Sequence, residues 1–272
     1  MRDMPADEIR PPQPRDYGEF NFEGFKTLYL KEIKRFWKVA MQTVAAPVIT
    51  SLLFMLIFAV ATSGAREPLE GVPFREFIAP GLVMMAILNN AFANSSSSLL
   101  QSKMMGLTSD FMTPPLSPLE QTAAFVLGAA TRGVIVGLTT AIAIWPFAQF
   151  GVTHVWAIAF FGVGASLLMA LVGVLGGLWS EKWDHLATVT NFVVMPLTFL
   201  SGTFYLTERL PEPFRTGSHF NPMFYLIDGF RYGFIGQADG SVAIGVAVTV
   251  VLTAVLTVWT WWLFKTGYRL KT

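Results

Sequence analysis

The sequence contains no cysteine among its 272 residues. Disulfide bonds, thiolate metal sites and cysteine nucleophiles are therefore excluded. Histidine is also scarce: His154, His185 and His219 lie far apart, and no His-x-x-x-His or Glu-x-x-His spacing occurs. Because helical metal sites need their ligands one turn apart, the sequence predicts no metal site.

Charged residues are also scarce. Only 14% of the residues are charged, whereas 53% are hydrophobic, and the mean hydropathy is +0.51. This composition is typical of an integral membrane protein. The net charge is +1, and the charged residues are distributed over several loops instead of forming one basic patch. No nucleic-acid partner is therefore predicted.

The amino-terminal residues 1–21 are polar and rich in proline, and they lack the apolar region of a cleaved signal peptide. They are predicted to form a disordered cytoplasmic tail. From Phe22 to Ala40 apolar residues recur at helical spacing with lysines between them. This pattern predicts an amphipathic helix lying in the membrane interface.

Six apolar stretches approach the roughly 20 residues that a helix needs to cross a bilayer. The predicted fold is therefore an all-α membrane protein with a single permease domain over residues 22–272. The predicted spans cover residues 39–61, 77–98, 122–147, 153–179, 186–205 and 241–264.

The lysines and arginines outside the spans indicate the orientation. Thirteen of them fall in the two terminal segments and the loops at Lys103 and Lys182, and five fall on the opposite side. Since positive residues favour the cytoplasmic side, both termini are predicted to be cytoplasmic. Arg132 alone falls inside a span, near its start, where it is expected to extend toward the cytoplasmic interface. A role in binding the substrate is the alternative, since a charge inside the membrane is a functional candidate.

Polar residues inside the spans have two possible roles. Asn90 and Asn94 lie on one face of the second span, and Asn191 and Thr198 lie at compatible spacing in the fifth. In lipid, such residues face protein or a cavity. They either form hydrogen bonds between helices or line a translocation path, and the sequence leaves both open.

Residues 102–113 form a cytoplasmic loop with methionines and aromatics at helical spacing. Met104, Leu107, Phe111 and Met112 predict an apolar ridge on a short helix that the following prolines end. Such a ridge suits docking to a cytoplasmic partner, or else packing on the bilayer.

Residues 207–236 are too apolar for a solvated loop and contain too many prolines for one span. Broken backbone at membrane depth survives only where protein or a wet cavity surrounds it. This segment is predicted to be a re-entrant helical hairpin between the fifth and sixth spans.

Three segments resemble the type-2 ABC transporter permease family. They are TLYLKEIKRFWKVAMQTVAAPVITSLLFMLIF at 27–58, FMTPPLSPLEQTAAFVLGAATRGVIVGL at 111–138, and FLSGTFYLTERLP at 199–211 followed by FNPMFYLIDGFRYGF at 220–234. The resemblance covers nearly the whole chain after the tail and implies a bacterial inner-membrane exporter subunit.

The resemblance also implies the partners. Such permeases form dimers and bind two copies of a cytoplasmic ATP-binding subunit, which carries the ATP and Mg²⁺. In agreement, this chain has no G-x-x-x-x-G-K-[ST] motif, so no catalytic or cofactor-binding residue is expected in it.

Four groups of site residues follow from the resemblance. The contacts to the ATP-binding subunit would be Met104, Leu107, Phe111, Met112 and Trp183. The path or dimer interface would hold Asn90, Asn94, Asn191 and Thr198. The outer re-entrant gate would hold Phe220, Asn221, Pro222 and Tyr225. The helix guarding lateral entry would carry Lys31, Glu32, Arg35 and Phe36.

The expected function is export of an amphipathic lipid, drug or glycan by alternating access. A partner-independent channel or secondary transporter is one alternative, although such proteins keep ionisable residues deep in their spans. A membrane-embedded lipid-modifying enzyme is another, with Glu208, Glu212, His219 and Asp228 as acid and base.

Overall fold

The computed structural model describes residues 18, 20–61, 71–207 and 210–270, and the regular elements within them are helices. Residues 1–17 and 19 of the predicted disordered tail lie outside these ranges, as does Glu208. The prediction of an all-α chain is confirmed for the described residues.

Five helices in this part of the chain are long and apolar enough to cross a membrane. Their bounds agree with five of the predicted spans to within a few residues, except that the second extends further, into the loop predicted to be cytoplasmic. They are Met41–Ala61, which is a π-helical segment (Met41–Ala45) continued by α2 (Ala46–Ala61), and α3 (Phe74–Met104), α5 (Pro118–Ala148), α6 (Val155–Trp179) and α11 (Val242–Thr266).

The shorter helices connect or flank these five. They are α1 (Phe22–Trp37), α4 (Ser109–Met112), α7 (Trp183–Val189), α8 (Met195–Phe199), α9 (Phe214–Phe220) and α10 (Pro222–Ile235).

The predicted fifth span, residues 186–205, is shorter as a helix. α7, a π-helical segment (Thr190–Val194) and α8 form one continuous helix from Trp183 to Phe199. It ends three residues before Gly202, which has a φ of 74°, the left-handed conformation that glycine adopts at little cost. At 1.5 Å per residue the helix is about 25 Å long, slightly less than the hydrocarbon thickness.

The predicted helix over residues 102–113 is wrong in its extent. α3 continues to Met104, the chain then turns, and α4 is only four residues long. Gly106 in the turn has a φ of 68°, which interrupts a right-handed helix. The prolines after Met112 prevent α4 from continuing.

α3 lies at the centre of the bundle, and most of its surface is buried against α5 and α6. Small residues permit this close packing: a side chain at Gly177 would meet the Ser96 carbonyl oxygen at 2.8 Å. The Ser95 hydroxyl donates to the Ala170 carbonyl at 2.8 Å across the same interface. By contrast, α2 and α11 leave most of their apolar surface exposed.

Side-chain contacts show which helix ends lie together. The end of α3 meets the end of α6, where Lys103 Nζ donates to the Leu178 carbonyl at 2.6 Å. The start of α3 meets α10, where the Arg231 guanidinium lies 4.1 Å from the Phe77 ring centre. We refer to these two ends as the Met104 end and the Phe74 end of the bundle.

Candidate functional site

α1 is docked on the bundle at the Met104 end. A side chain at Gly128 of α5 would meet the Glu32 Cβ at 2.6 Å, so the absence of a side chain there lets α1 approach. The Tyr29 hydroxyl lies 3.0 Å from the Thr131 hydroxyl of α5. Phe36 is almost fully buried. α1 therefore packs as part of the bundle through one face.

Glu32 and Arg35 connect α1 to α3 through a buried polar network. The Glu32 carboxylate accepts a hydrogen bond from the Ser98 hydroxyl at 2.8 Å and lies 3.3 Å from Arg35 Nε. Arg35 Nη2 donates to the Asn94 carbonyl at 2.7 Å and to Asn94 Oδ1 at 2.9 Å. Glu32 is 1% exposed, so the sequence pattern, which placed it near the interface, did not reveal this contact.

Arg132 is buried rather than extended into solvent. It is 9% exposed, and its Nη2 donates to Asn90 Oδ1 at 2.8 Å. Its Nε has no hydrogen-bond partner among the described residues. Buried donors are rarely left without an acceptor, so Arg132 is a candidate for binding a group from outside the chain.

A cavity of about 640 Å³ opens between the first membrane helix, α3 and the helix from Trp183 to Phe199. Its wall is mixed, with polar groups from α3 and the first membrane helix and apolar groups beside them. The polar lining residues are Gln42, Thr50, Ser51, Asn89, Asn90, Ser96, Ser97 and Thr190. Such a wall suits an amphipathic molecule.

The four residues predicted for the path separate in the structure. Asn90 lines the 640 Å³ cavity, whereas Asn94 is fully buried against Arg35. Thr198 is fully buried, and its hydroxyl donates to the Val194 carbonyl of its own helix. Asn191 is exposed on the outside of the chain. From the sequence, the polar residues of the first membrane helix were not selected as cavity-lining, because only the hydrophobicity of that segment was considered.

Some of the predicted coupling residues are exposed in the structure and others are buried. Met104, Leu107 and Trp183 are exposed at the Met104 end. Phe111 is buried, and its ring meets the Phe125 ring edge-on with centres 5.2 Å apart. Met112 is partly buried against the same cluster. Phe111 therefore anchors α4 to α5, and the surface open to a partner consists of the first three residues together with Met105.

Lys103 links the two exposed loops at this end. Its ammonium group donates to the carbonyls of Gly177, Leu178 and Ser180, at 3.1, 2.6 and 2.5 Å. These carbonyls end α6 and have no partner within the helix, so a cation there satisfies them and suits the helix dipole. The loop after α3 and the loop after α6 are held together by one side chain.

A further set of contacts ties α1 to the loop that contains α4. The Asn21 backbone amide donates to the Glu120 carboxylate, and the Asn21 side-chain amide donates to the Pro115 carbonyl at 3.1 Å. The Ser117 hydroxyl and Glu120 form a capping box at the start of α5. Asn21 also caps α1 by accepting from Gly24 N at 2.9 Å. The start of α1 and the α4–α5 connection are thus joined directly.

The predicted gate residues lie at the junction of α9 and α10 at the Phe74 end. Asn221 is buried, accepts from Met223 N at 3.0 Å as the cap of α10, and donates to the Leu197 carbonyl at 2.6 Å. Pro222 begins α10. The Tyr225 hydroxyl donates to the His219 carbonyl at 3.1 Å, and Phe220 is largely exposed.

Charged groups hold α10 in place. Arg231 is 2% exposed and donates to the Gly202 carbonyl at 2.6 Å, and its Nη1 lies 4.0 Å from the Asp228 carboxylate. The Asp228 carboxylate accepts from the backbone amides of Asp239 and Gly240 at 2.8 and 2.9 Å. Arg231 thus holds α10 to the segment before it, and Asp228 holds α10 to the segment after it.

Of the groups considered as an acid and a base, Asp228 is bonded to Asp239 and Gly240, Glu212 is exposed, and Glu208 lies outside the described residues. A hydrogen bond from the Thr216 hydroxyl to the Glu212 carboxylate, 2.7 Å long, holds the pKa of Glu212 below its usual value. Glu212 is therefore ionised at neutral pH and unsuited to donate a proton. Within the described ranges, no group of three or more His, Asp or Glu side chains could hold a metal ion.

Comparisons with known proteins agree with this architecture. A family model described as "ABC-2 type transporter" matches residues 23–235. The chain is 36% identical over 250 residues to the inner membrane transport permease YadH of Escherichia coli strain K12, covering 91% of this chain and 97% of that protein. It is 22% identical over 191 residues to nodulation protein J of Rhizobium leguminosarum bv. viciae, covering 68% of this chain and 72% of that protein.

Proposed function

The chain belongs to the ABC-2 type transporter family, and from this premise we propose that it exports an amphipathic molecule by alternating access driven by a separate ATP-binding subunit. Membership makes it a membrane permease subunit of an ABC transporter and a multi-pass protein of the inner membrane. Members of this family generally work with a cytoplasmic ATP-binding subunit. The direction, the cargo and the assembly are the proposal.

In the membrane, the helix from Trp183 to Phe199 is the fifth of six crossing elements in chain order, with the non-helical residues after it completing the crossing. α1 then lies in the cytoplasmic interface, and α9 and α10 form the re-entrant hairpin on the outer side. The burial of α10 among α3, α6 and α11 supports this, because broken helices at membrane depth need protein around them. Both termini are cytoplasmic.

The complex contains two copies of this chain and two ATP-binding subunits, which bind the ATP and Mg²⁺. The exposed residues Met104, Met105, Leu107 and Trp183 are the contact to that subunit. They are large and apolar, which is unusual for a surface at the end of a bundle unless a partner covers it. The 640 Å³ cavity, closed by the second copy, is half of the path.

The observation that carries the mechanism is the connection of α1 to the α4–α5 loop. Asn21 bonds to Pro115 and Glu120, and α1 in turn bonds to α3 through Glu32 and Arg35. A displacement of the loop by the ATP-binding subunit therefore displaces α1, and with it the polar wall beside the cavity. The permease then alternates between two arrangements of the same contacts.

The test is purification of the tagged chain from its native membrane in mild detergent, with the mass of the intact complex and vanadate-sensitive ATPase activity measured on one sample. A two-plus-two complex that hydrolyses ATP is expected. Replacing Met104, Leu107 and Trp183 together with Asp should release the ATP-binding subunit. Phe214→Asp, which changes an exposed aromatic at the Phe74 end, should not.

A chain that purifies alone and shows no nucleotide dependence would contradict the proposal. The partner-independent channel would then be the hypothesis to test next. Retained association in the triple variant would contradict only the assignment of the contact surface.

A further inference from the structure

A second cavity, of about 780 Å³, lies between α1, the turn after it, α3 and α5. Cationic side chains dominate its polar lining, and none of the described residues that line it is acidic. These side chains are Lys31, Lys34, Arg35, Lys38 and Arg132, with the neutral Gln101 beside them. We call it the cationic cavity.

One of these cations, Arg35, is paired with the buried Glu32, which also accepts from Ser98. Among the described residues the other four cations of the cavity form no ion pair. Lys31 and Lys34 are exposed and face solvent. Arg35 and Arg132 lie close enough to repel each other electrostatically. The arrangement therefore concentrates positive charge around an empty volume that an anion would stabilise.

Arg132 provides an independent indication of a ligand. It lines the cationic cavity, is nine-tenths buried, and leaves Nε without a partner while Nη2 is held by Asn90. An unmade hydrogen bond of a buried charged donor is costly. Guanidinium groups bind phosphate oxygens through paired N–H donors, and Asn90 fixes the orientation of this one.

The apolar part of the wall indicates what carries the phosphate. Leu30 and Val39, both exposed apolar residues, line the same cavity as the cations. A small inorganic anion would leave this surface unused, whereas an amphiphile would place its phosphate on the arginines and its first acyl carbons against these side chains.

We propose that the cationic cavity binds the phosphate headgroup of an anionic lipid from the cytoplasmic leaflet. Arg132 and Arg35 contact the phosphate oxygens, and Lys31, Lys34 and Lys38 attract the headgroup from the membrane surface. The assignment rests on the proposed function in one respect, the placement of α1 at the cytoplasmic interface. It does not require the lipid to be the exported cargo.

The test uses the purified complex and two probes, phosphatidic acid and phosphatidylcholine, with Kd for each measured by native mass spectrometry. We expect phosphatidic acid to bind at least about tenfold more tightly, because its phosphate is net anionic, whereas the choline cation of phosphatidylcholine cancels the phosphate charge and is repelled by the lysines. Arg132→Gln and the double variant Lys31→Gln with Lys34→Gln should each weaken it about tenfold. Lys26→Gln, an exposed lysine of α1 outside the cavity, should leave it unchanged.

The double variant changes only exposed side chains, so it remains informative if Arg132→Gln fails to fold. Equal affinity for the two lipids, or unchanged affinity in the double variant, would overturn the site. Displacement of phosphatidic acid by an equal concentration of inorganic phosphate would overturn the assignment to a lipid. Each of these results, obtained with an intact ATP-hydrolysing complex, leaves the proposed function standing.

Discussion

At the scale of single residues, charge inside the bundle is placed only where oxygen atoms or aromatic rings surround it. Arg231 has the Gly202 carbonyl, the Asp228 carboxylate and the Phe77 ring as neighbours. Glu32 has Arg35 and Ser98. Arg132 and Arg231 each leave Nε without a hydrogen-bond partner among the described residues, but Arg132 also lines the cationic cavity, and it is the residue at which a ligand is proposed. The cavity, rather than the open donor alone, marks Arg132 as a candidate binding group.

Arg231→Met should destabilise the protein by about 3–5 kcal/mol, because it leaves the buried Asp228 carboxylate without its cation. The expected result is a clearly lower midpoint of thermal unfolding in detergent. Adding Asp228→Asn to it should recover part of the loss, since the uncompensated charge is then removed. Arg215→Met, at an exposed position of α9, is the control. Equal midpoints for the two arginine variants would show that the Arg231 contacts are not stabilising.

At the scale of elements, Lys103 holds the end of α3 to the end of α6. Replacing it by Met removes three charge-assisted hydrogen bonds without a large change in volume. We expect the stimulation of ATPase activity by the permease to fall about tenfold while the complex still forms, because bonds of this kind contribute about 1.5–3 kcal/mol each. Lys182→Met, an exposed lysine at the same end, is the matched control. Loss of stimulation in both variants would assign the effect to surface charge.

The sequence predicted the elements whose signal is local. Five apolar runs are helices, four of them within a few residues of their predicted bounds, because length and hydrophobicity alone decide them. The helix over 102–113 was wrong because Gly106 takes a left-handed conformation, which composition does not reveal. The helix of the predicted fifth span stops at Phe199, ahead of Gly202, whose left-handed conformation hydrophobicity does not indicate.

The contacts of the candidate site were less predictable. Asn90 and Asn94 were selected as polar residues that face protein or a cavity, but their pairing with Arg132 and Arg35 depends on how α1 and α5 dock. Phe111 was selected as a contact because of its spacing, and spacing on a four-residue helix does not show which side faces α5. Lys103, Asn21 and Glu120 join distant segments and carry no sequence signal of that role.

At the scale of the whole molecule, two helices leave broad apolar surfaces, α2 and α11. The cavity of about 640 Å³ opens beside α2, whereas α11 lies on α5, α6 and α10. We therefore expect a second copy of the chain to cover the α2 surface and lipid to cover α11. Because the chain has no cysteine, single introduced cysteines report on this without background.

Leu56→Cys in α2 and Val251→Cys in α11 test this arrangement, since both positions are exposed apolar residues. Oxidation in native membranes should yield a disulfide-linked dimer for the first and little for the second, because only the first lies beside its counterpart near the two-fold axis. The reverse result would place α11 at the interface. Dimer formation would be followed by gel mobility under non-reducing conditions.

The central claim is that α1 and the α4–α5 loop move together when the partner hydrolyses ATP. Spin labels on Ser109→Cys and Lys26→Cys report on the loop and on α1, and a third label on Arg215→Cys gives a reference at the Phe74 end. The pairwise distances are measured by pulsed electron resonance with and without ATP and vanadate, with one labelled copy per complex. The distance from Ser109 to Lys26 should stay constant while both distances to Arg215 change. A change at Ser109 with none at Lys26 would contradict the claim.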